Sequence, residues 1–252
     1  MDLTPDEIEL LLQMARKFYG YGAYDRPYWF IGTEPGGEDI DHLRRKLRSW
    51  KDLGCEEVVC NKKHHEGAEI LDFHRRRPRL QPTWRPLMLG FMSYKNLCSE
   101  DDVVRLQWLR DEQARRFGCD GGESAVLELG GLPAADRNHW HYRALNVPTL
   151  TSRDEYVAEY FEKCAFHLRE MVAEAKPKFV WMYGARNNAR NNYRKYWKII
   201  AGGEFESRDS FEYRQTSTTA FLVTDHTTSR GKTNPDWVAL GSALRDLTAQ
   251  NA

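Results

Sequence analysis

The pattern of hydrophobic positions divides the chain into short apolar runs separated by longer amphipathic segments. Four runs are rich in aromatic and β-branched residues and have the length of buried strands: 28–32, 124–130, 179–183 and 220–224. Between them, apolar residues recur at helical spacing, which predicts helices at 5–19, from 38 onward, at roughly 83–97 and 101–117, after Ser152, and from Asn234. Strands that alternate with helices favour a parallel sheet. We therefore predict one α/β domain over residues 1–252, a three-layer α/β/α sandwich around a central parallel four-stranded sheet.

The turn after the first strand is the leading candidate for a functional site. The apolar run ends in Gly32-Thr33-Glu34-Pro35-Gly36-Gly37, with a carboxylate at its centre. In α/β sheets, ligands bind at the carboxyl ends of the strands. Proline fixes the backbone of such a turn, and glycines let a ligand approach closely. A solvated glutamate in a tight turn has the same sequence, so this stretch alone leaves both interpretations open.

The other predicted strands also end in polar corners, which a parallel sheet places at the same edge. The second strand ends in Gly130 and a polar run at 136–141. The third turns at Gly184 into a segment rich in asparagine and arginine, at 186–192. The fourth ends in Asp-His-Thr-Thr, at 225–228. These corners contain the candidate residues that follow.

Charge restricts a nucleic-acid site to a local patch, because 37 lysines and arginines balance 37 acidic residues. The strongest patch has four arginines followed by a tryptophan: Arg75, Arg76, Arg77, Arg79 and Trp84. Positive charge beside an aromatic ring suits a phosphate backbone and an unstacked base, although an exposed loop has the same composition. Four more residues are candidates for phosphate contacts: Asn187, Arg190, Arg230 and Lys232.

The cysteines predict a reduced compartment and no metal site. They are five in number and scattered, and neither a signal peptide nor an apolar span of membrane length is present, so we expect a cytoplasmic protein. Cys55 and Cys60 lie close in sequence to His64, His65 and His74. Their spacing does not match a zinc motif. We therefore expect neither a metal nor another cofactor.

The order of the four corners resembles the uracil-DNA glycosylase superfamily. Members carry Gly-Gln-Asp-Pro-Tyr or Gly-Glu-Ala-Pro-Gly near the start and His-Pro-Ser near the end. This chain has Gly-Thr-Glu-Pro-Gly-Gly at 32–37 and Asp-His-Thr-Thr at 225–228, with Leu-Gly-Gly-Leu-Pro at 129–133 and a third strand at 176–184 between them. The resemblance covers the four strand ends and their order, and it does not extend to residues 41–123.

The resemblance implies catalytic roles for Glu34 and His226. Glu34 stands where the family has the aspartate that positions water, and His226 where it has the histidine that supports the departing base. Gly130 replaces the asparagine that reads uracil, and Gly36 replaces the aromatic residue that blocks substituents at position 5 of the pyrimidine. Thr227 and the residue after it replace Pro and Ser, and the cysteines lack the family's iron–sulfur spacing. These departures predict the fold and reaction class without a plain uracil specificity.

The candidate base pocket comprises Gly32, Thr33, Pro35, Gly36, Gly37, Glu128 and Gly130. A buried carboxylate at Glu128 accepts a hydrogen bond from an exocyclic amine, as carboxylates do with cytosine, although a structural salt bridge is an equal alternative. The leading hypothesis is a monofunctional DNA glycosylase for a bulky 5-modified cytosine of phage DNA, in antiviral defence. The alternatives are repair of uracil, hypoxanthine or another deaminated base, a non-catalytic nucleic-acid-binding module, and a hydrolase of a small phosphorylated ligand. DNA is the expected partner, with no membrane and no obligate protein partner.

Overall fold

A computed structural model describes residues 3–37, 39–134, 140–184, 193–228 and 232–249. The helices in these ranges are α1 (Pro5–Lys17), α2 (Ile40–Asp52), α3 (Asn61–Gly67), α4 (Trp84–Tyr94), α5 (Asp102–Arg115), α6 (Arg153–Ala175), α7 (Arg194–Ala201) and α8 (Asn234–Ala249). The strands are β1 (Gly20–Tyr21), β2 (Tyr28–Gly32), β3 (Val58–Val59), β4 (Ser124–Glu128), β5 (Phe179–Tyr183), β6 (Glu206–Ser207), β7 (Glu212–Gln215) and β8 (Ala220–Thr224). The protein is therefore mixed α/β, as the sequence predicts.

The sheet has eight strands in the order β3-β1-β4-β2-β5-β8-β7-β6, so the predicted four-stranded sheet is wrong in strand number. Its centre consists of the four predicted strands, β4, β2, β5 and β8, all parallel. The four additional strands flank this centre, and β1, β6 and β7 form antiparallel pairs. Three of the added strands have only two residues, too few to produce an apolar pattern in the sequence.

The central strands are buried along their whole length, which explains their continuous apolar sequences. On one face, Trp181 packs against Trp237 of α8, and Phe30 packs against Phe91 of α4. The side chain of Trp29, which precedes Phe30 in β2, points to the opposite face of the sheet. There it packs against Tyr24, which contacts His167 of α6. Helices thus pack on both faces, which leaves the carboxyl ends of the parallel strands as a shared edge.

Two helices, α1 and α6, begin at complete N-terminal capping boxes. Thr4 caps α1 and Ser152 caps α6, each with a complete capping box. The cap of α6 matters most, because it fixes the start of the helix at Arg153. Within the described ranges, no helix has the length and apolar character needed to cross a membrane.

Candidate functional site

Glu34 is clamped by an arginine from the start of α6. The Nε and Nη2 atoms of Arg153 donate to the two carboxylate oxygens of Glu34 at 3.1 and 2.7 Å. Both side chains are about nine-tenths buried, with 9% and 10% exposure. A bidentate pair of this kind fixes the orientation of the carboxylate as well as its charge. Burial opposes the charged form of Arg153, but the Glu34 carboxylate outweighs it and raises the pKa of Arg153 above its ordinary value.

The glycine-rich turn runs alongside the segment that follows β4. Ala134 N–H donates to Pro35 O at 2.9 Å, and Gly37 N–H donates to Ala134 O at 3.2 Å. A side chain at Gly37 would strike Pro133, whereas a side chain at Gly36 would meet nothing within 4 Å. The turn is therefore held by its neighbour on one side and open at Gly36.

Lys46 of α2 adds a buried ammonium group to this turn. Its Nζ donates to Gly36 O at 2.5 Å, and the residue is only 5% exposed. From the sequence, Lys46 belongs to a basic helix whose charged residues are expected to face solvent. An open depression lies beside it, lined by Gly37, Asp39, His42, Leu43, Lys46, Pro133, His141 and Tyr142.

Glu128, the last residue of β4, is a buried carboxyl group that forms no salt bridge with any residue in the described ranges. Its exposure is 5%, and its Oε2 atom is shielded from solvent without a hydrogen-bond partner. Burial raises the pKa of Glu128 well above its ordinary value, and the charge of Glu34 raises it further, while Lys46 opposes both. Among the described residues no arginine forms a salt bridge with Glu128, and Arg190 lies outside them, so the alternative of a structural salt bridge stays a prediction.

Gly32 and Tyr183 complete the surroundings of this carboxyl group. A Cβ atom at Gly32 would lie 2.3 Å from Glu128 Oε2 and 2.7 Å from the Tyr183 hydroxyl. Any side chain at this position is therefore excluded, and the glycine lets two polar groups from β4 and β5 converge above β2. Burial, and then the charge of Glu128, raises the pKa of Tyr183 well above its ordinary value, so its hydroxyl is a donor.

His226, two residues after β8, has a defined tautomer. Its Nδ1 atom lies 3.3 Å from the backbone N–H of Thr228 and 2.9 Å from the Thr228 hydroxyl. A backbone N–H only donates, so Nδ1 accepts and the neutral ring carries its hydrogen on Nε2. The ring centroid of His226 is 6.0 Å from that of Tyr183.

These residues form an arc along one edge of the sheet. Glu34 influences Glu128 electrostatically, Glu128 and Tyr183 converge at Gly32, and Tyr183 contacts His226. Glu34 and His226 themselves follow β2 and β8, which are separated by β5. The predicted carboxylate and histidine are thus at the same edge, with Tyr183 of β5 between their strands and Glu128 of β4 on the other side of β2.

Gly130 does not enlarge a base pocket. A Cβ atom there would lie 2.6 Å from the ring of Phe161 and 2.7 Å from the Tyr156 hydroxyl, both on α6. β4 ends at Glu128, so Gly130 lies beyond the strand, whereas the sequence predicts a strand over 124–130. The space above Gly130 is filled by aromatic packing, and of the glycines in the candidate pocket only Gly36 leaves room for a side chain.

The basic segment is exposed, but its predicted aromatic partner is not. Arg75, Arg76, Arg77 and Arg79 are exposed, and Arg75 pairs with Asp72 at 3.2 Å. Trp84 is 4% exposed and stacks on His65, with its other face in the core, so it cannot receive an unstacked base. Its position at the start of a largely buried helix explains the error.

The remaining phosphate candidates give a mixed result. Lys232 donates to Ser210 O at 3.0 Å and lies over the ring of Trp237, so much of it is covered. Asn187, Arg190 and Arg230 lie outside the described residues.

The histidines near Cys60 take part in contacts within the protein. His64 Nε2 bonds Lys46 O at 3.1 Å, and His65 Nδ1 bonds His74 Nε2 at 2.9 Å. The five cysteines are all free thiols. These histidines support the position of α2, and hence of Lys46.

Three residues at this edge are not identified as candidates from the sequence: Arg153, Lys46 and Tyr183. Arg153 is hidden within a helix cap, Lys46 within a basic helix, and Tyr183 within an apolar strand. For Tyr183 a signal existed, because it is the last residue before a glycine turn at a carboxyl strand end.

Comparison with known proteins assigns no family. No protein-family model matches the chain, and no curated protein matches it significantly. The resemblance to uracil-DNA glycosylases therefore rests on the four strand-end motifs and their order.

Proposed function

We propose that this protein is a DNA glycosylase that hydrolyses the N-glycosidic bond of a flipped-out base and leaves an abasic site. The observation that carries the proposal is the pairing of Glu34 with Arg153 at the same sheet edge as a histidine whose Nε2 carries hydrogen. Helices on both faces of the sheet support the three-layer arrangement that the resemblance implies. A binding module needs neither a clamped carboxylate nor an oriented histidine.

The two groups suit the two charges that develop when the bond breaks. The sugar becomes an oxocarbenium-like cation, which the Glu34 carboxylate stabilises while it orients and deprotonates the attacking water. The base gains negative charge, toward which the Nε2–H of His226 donates a hydrogen bond. Arg153 holds Glu34 by two hydrogen bonds, so the carboxylate does not reorganise during the reaction.

A bulky 5-modified cytosine fits the open part of this edge. Gly36 has no neighbour within 4 Å of a Cβ position, where uracil-specific relatives carry a blocking aromatic ring. Glu128 offers a carboxyl group to an exocyclic amine. Modified cytosines of phage DNA have both a bulky group at position 5 and an exocyclic amine, which supports a role in defence rather than repair of deaminated bases.

The exposed arginines at 75–79 supply the positive charge that a phosphate backbone requires. The target base must leave the stack to reach a site at the strand ends. Trp84 is unavailable for this step, so phosphate contacts, rather than stacking at that residue, anchor the DNA.

The test incubates the protein with matched duplexes that contain uracil, hypoxanthine, cytosine, 5-hydroxymethylcytosine or glucosylated 5-hydroxymethylcytosine, followed by alkali. We expect strand scission with the bulky cytosines, unaffected by EDTA. Glu34→Gln and His226→Ala are each expected to slow release by about 10²–10⁴, whereas Glu159→Gln on the exposed part of α6 serves as the control. No release from any duplex would refute the proposal, and release only from uracil or hypoxanthine would favour repair.

A further inference from the structure

Glu128 has the features of a group that awaits a ligand. It is 5% exposed, and no described residue bonds its Oε2 atom. A buried carboxyl group without a partner is costly, and proteins retain few of them outside functional sites. The neighbouring Gly32 has no side chain, which lets this oxygen and the Tyr183 hydroxyl converge above β2.

The charged and titratable groups around Glu128 come from five elements. Each is electrostatically coupled to it: Tyr21 on β1, Glu34 after β2, Lys46 on α2, Cys164 on α6 and Tyr183 on β5. Lys46 is the only cation in this set, and its Nζ donates to Gly36 O. No guanidinium reaches Glu128 in the described structure.

The two carboxyl groups of the edge therefore have opposite environments. Glu34 receives two hydrogen bonds from Arg153, which hold its carboxylate in one orientation. Glu128 is buried beside that negative charge, which favours its neutral form. Two carboxyl groups with such different surroundings are the arrangement that supplies a base and an acid in hydrolytic sites.

We infer that Glu128 is the general acid of the reaction and protonates the departing base, an inference that rests on the proposed glycosylase function. The C1′–N1 bond breaks with its electron pair going to the base, and the proton of the Glu128 carboxyl moves to N3 or O2, so that the base leaves neutral. Water adds to C1′ and gives its proton to Glu34. After release, Glu34 loses this proton to solvent and Glu128 regains one.

This acid explains how the site handles cytosine rather than uracil. The uracil anion spreads its charge over two carbonyl oxygens and leaves readily, so a hydrogen bond from a neutral histidine suffices. The cytosine anion has one carbonyl oxygen, is more basic, and gains more from a full proton transfer. Tyr183, beside Glu128 at Gly32, is placed to donate a hydrogen bond to the same base.

The test measures single-turnover release from duplexes with 5-methyl-, 5-hydroxymethyl- and 5-formylcytosine, for wild type and Glu128→Gln. The glutamine keeps the shape and hydrogen bonding of the side chain but has no proton to transfer. We expect a loss of about 10²–10⁴ for 5-methylcytosine, a smaller loss for the better leaving group 5-formylcytosine, and unchanged duplex binding. Wild-type release falls tenfold per pH unit above the pKa of Glu128, and the variant lacks this limb.

Glu112→Gln provides the matched control, because Glu112 is also a buried glutamate with a raised pKa but bonds Arg116 on α5. Its release rates and pH profile should equal those of wild type. Equal losses of Glu128→Gln on all three bases, or an unchanged high-pH limb, would overturn the acid assignment while wild-type release upholds the glycosylase. Absence of release from every base by wild type would instead refute the proposed function and this inference with it.

Discussion

Removal of the Arg153 side chain should lower the free energy of unfolding far more than removal of an exposed charge does. The substitution Arg153→Met leaves the Glu34 carboxylate about nine-tenths buried without its two donors. Breaking a buried pair from one side costs about 3–5 kcal/mol, because the remaining charge is desolvated and unpaired. Arg153 also lies over the ring of Tyr193, at 5.7 Å, a contact that methionine replaces only in part.

The assay is urea unfolding of wild type, both single variants and the double variant Arg153→Met/Glu34→Gln. The expected loss of about 3–5 kcal/mol for Arg153→Met would appear in a thermal melt as a fall of about 6–20 °C in Tm for a chain of this size. The double variant removes both charges and should recover at least about 1 kcal/mol relative to the sum of the single effects. Lys163→Met, which breaks the exposed pair with Glu159, should cost less than about 1 kcal/mol.

A loss below about 1 kcal/mol for Arg153→Met would refute this reasoning, since exposed pairs have that value. Additive single effects would also refute it, because two groups in direct contact must show coupling.

Three further predictions address pH, substrate size and DNA binding. Burial lowers the pKa of His64 to about 3, so below about pH 6.5 only the unfolded chain takes up its proton. The contribution of neutral His64 to the free energy of unfolding is complete above that pH and should decrease by about 1.4 kcal/mol per pH unit toward pH 3. Equal urea midpoints at pH 7 and pH 5 would contradict this. Gly36→Tyr should keep wild-type stability but block bulky bases, whereas Gly130→Ala should lower Tm, because its Cβ meets Phe161 at 2.6 Å; the reverse pattern in thermal melts and release assays would be a contradiction. Arg76→Glu should weaken duplex binding and lower the salt slope by about one, and an unchanged slope would exclude a phosphate contact.

The central strands were predictable because burial on both faces leaves a continuous apolar signal. Tyr28–Gly32 and Phe179–Tyr183 have the bounds that the sequence indicates. The strand Glu212–Gln215, which pairs with β8 and β6, is made mostly of charged and polar residues, and nothing in that composition distinguishes it from a loop. Its pairing with β8 comes from backbone hydrogen bonds, which every residue except proline can form.

The candidate site shows the same division between local and long-range information. A carboxylate in a glycine-rich turn is visible in six consecutive residues, so Glu34 was a candidate from the sequence. Its partner Arg153 is 119 residues away and has the local signature of a helix cap, so only the fold brings the two together. Glycines are misinterpreted for the same reason. Gly130 has no side chain and suggests open space in the sequence, but the ring of Phe161 occupies the space beside it in the fold.

The different surroundings of Glu34 and Glu128 depend on the register of two neighbouring strands. Gly32 pairs with Glu128, so Glu34 extends two residues beyond the sheet, where the cap of α6 delivers Arg153. Glu128 remains within the strand and is buried without a guanidinium. A shift of one residue would turn Glu128 to the opposite face, away from Gly32 and Tyr183. The proposed roles of the two glutamates as base and acid therefore depend on strand register and one helix cap, which are properties of the fold rather than of either residue.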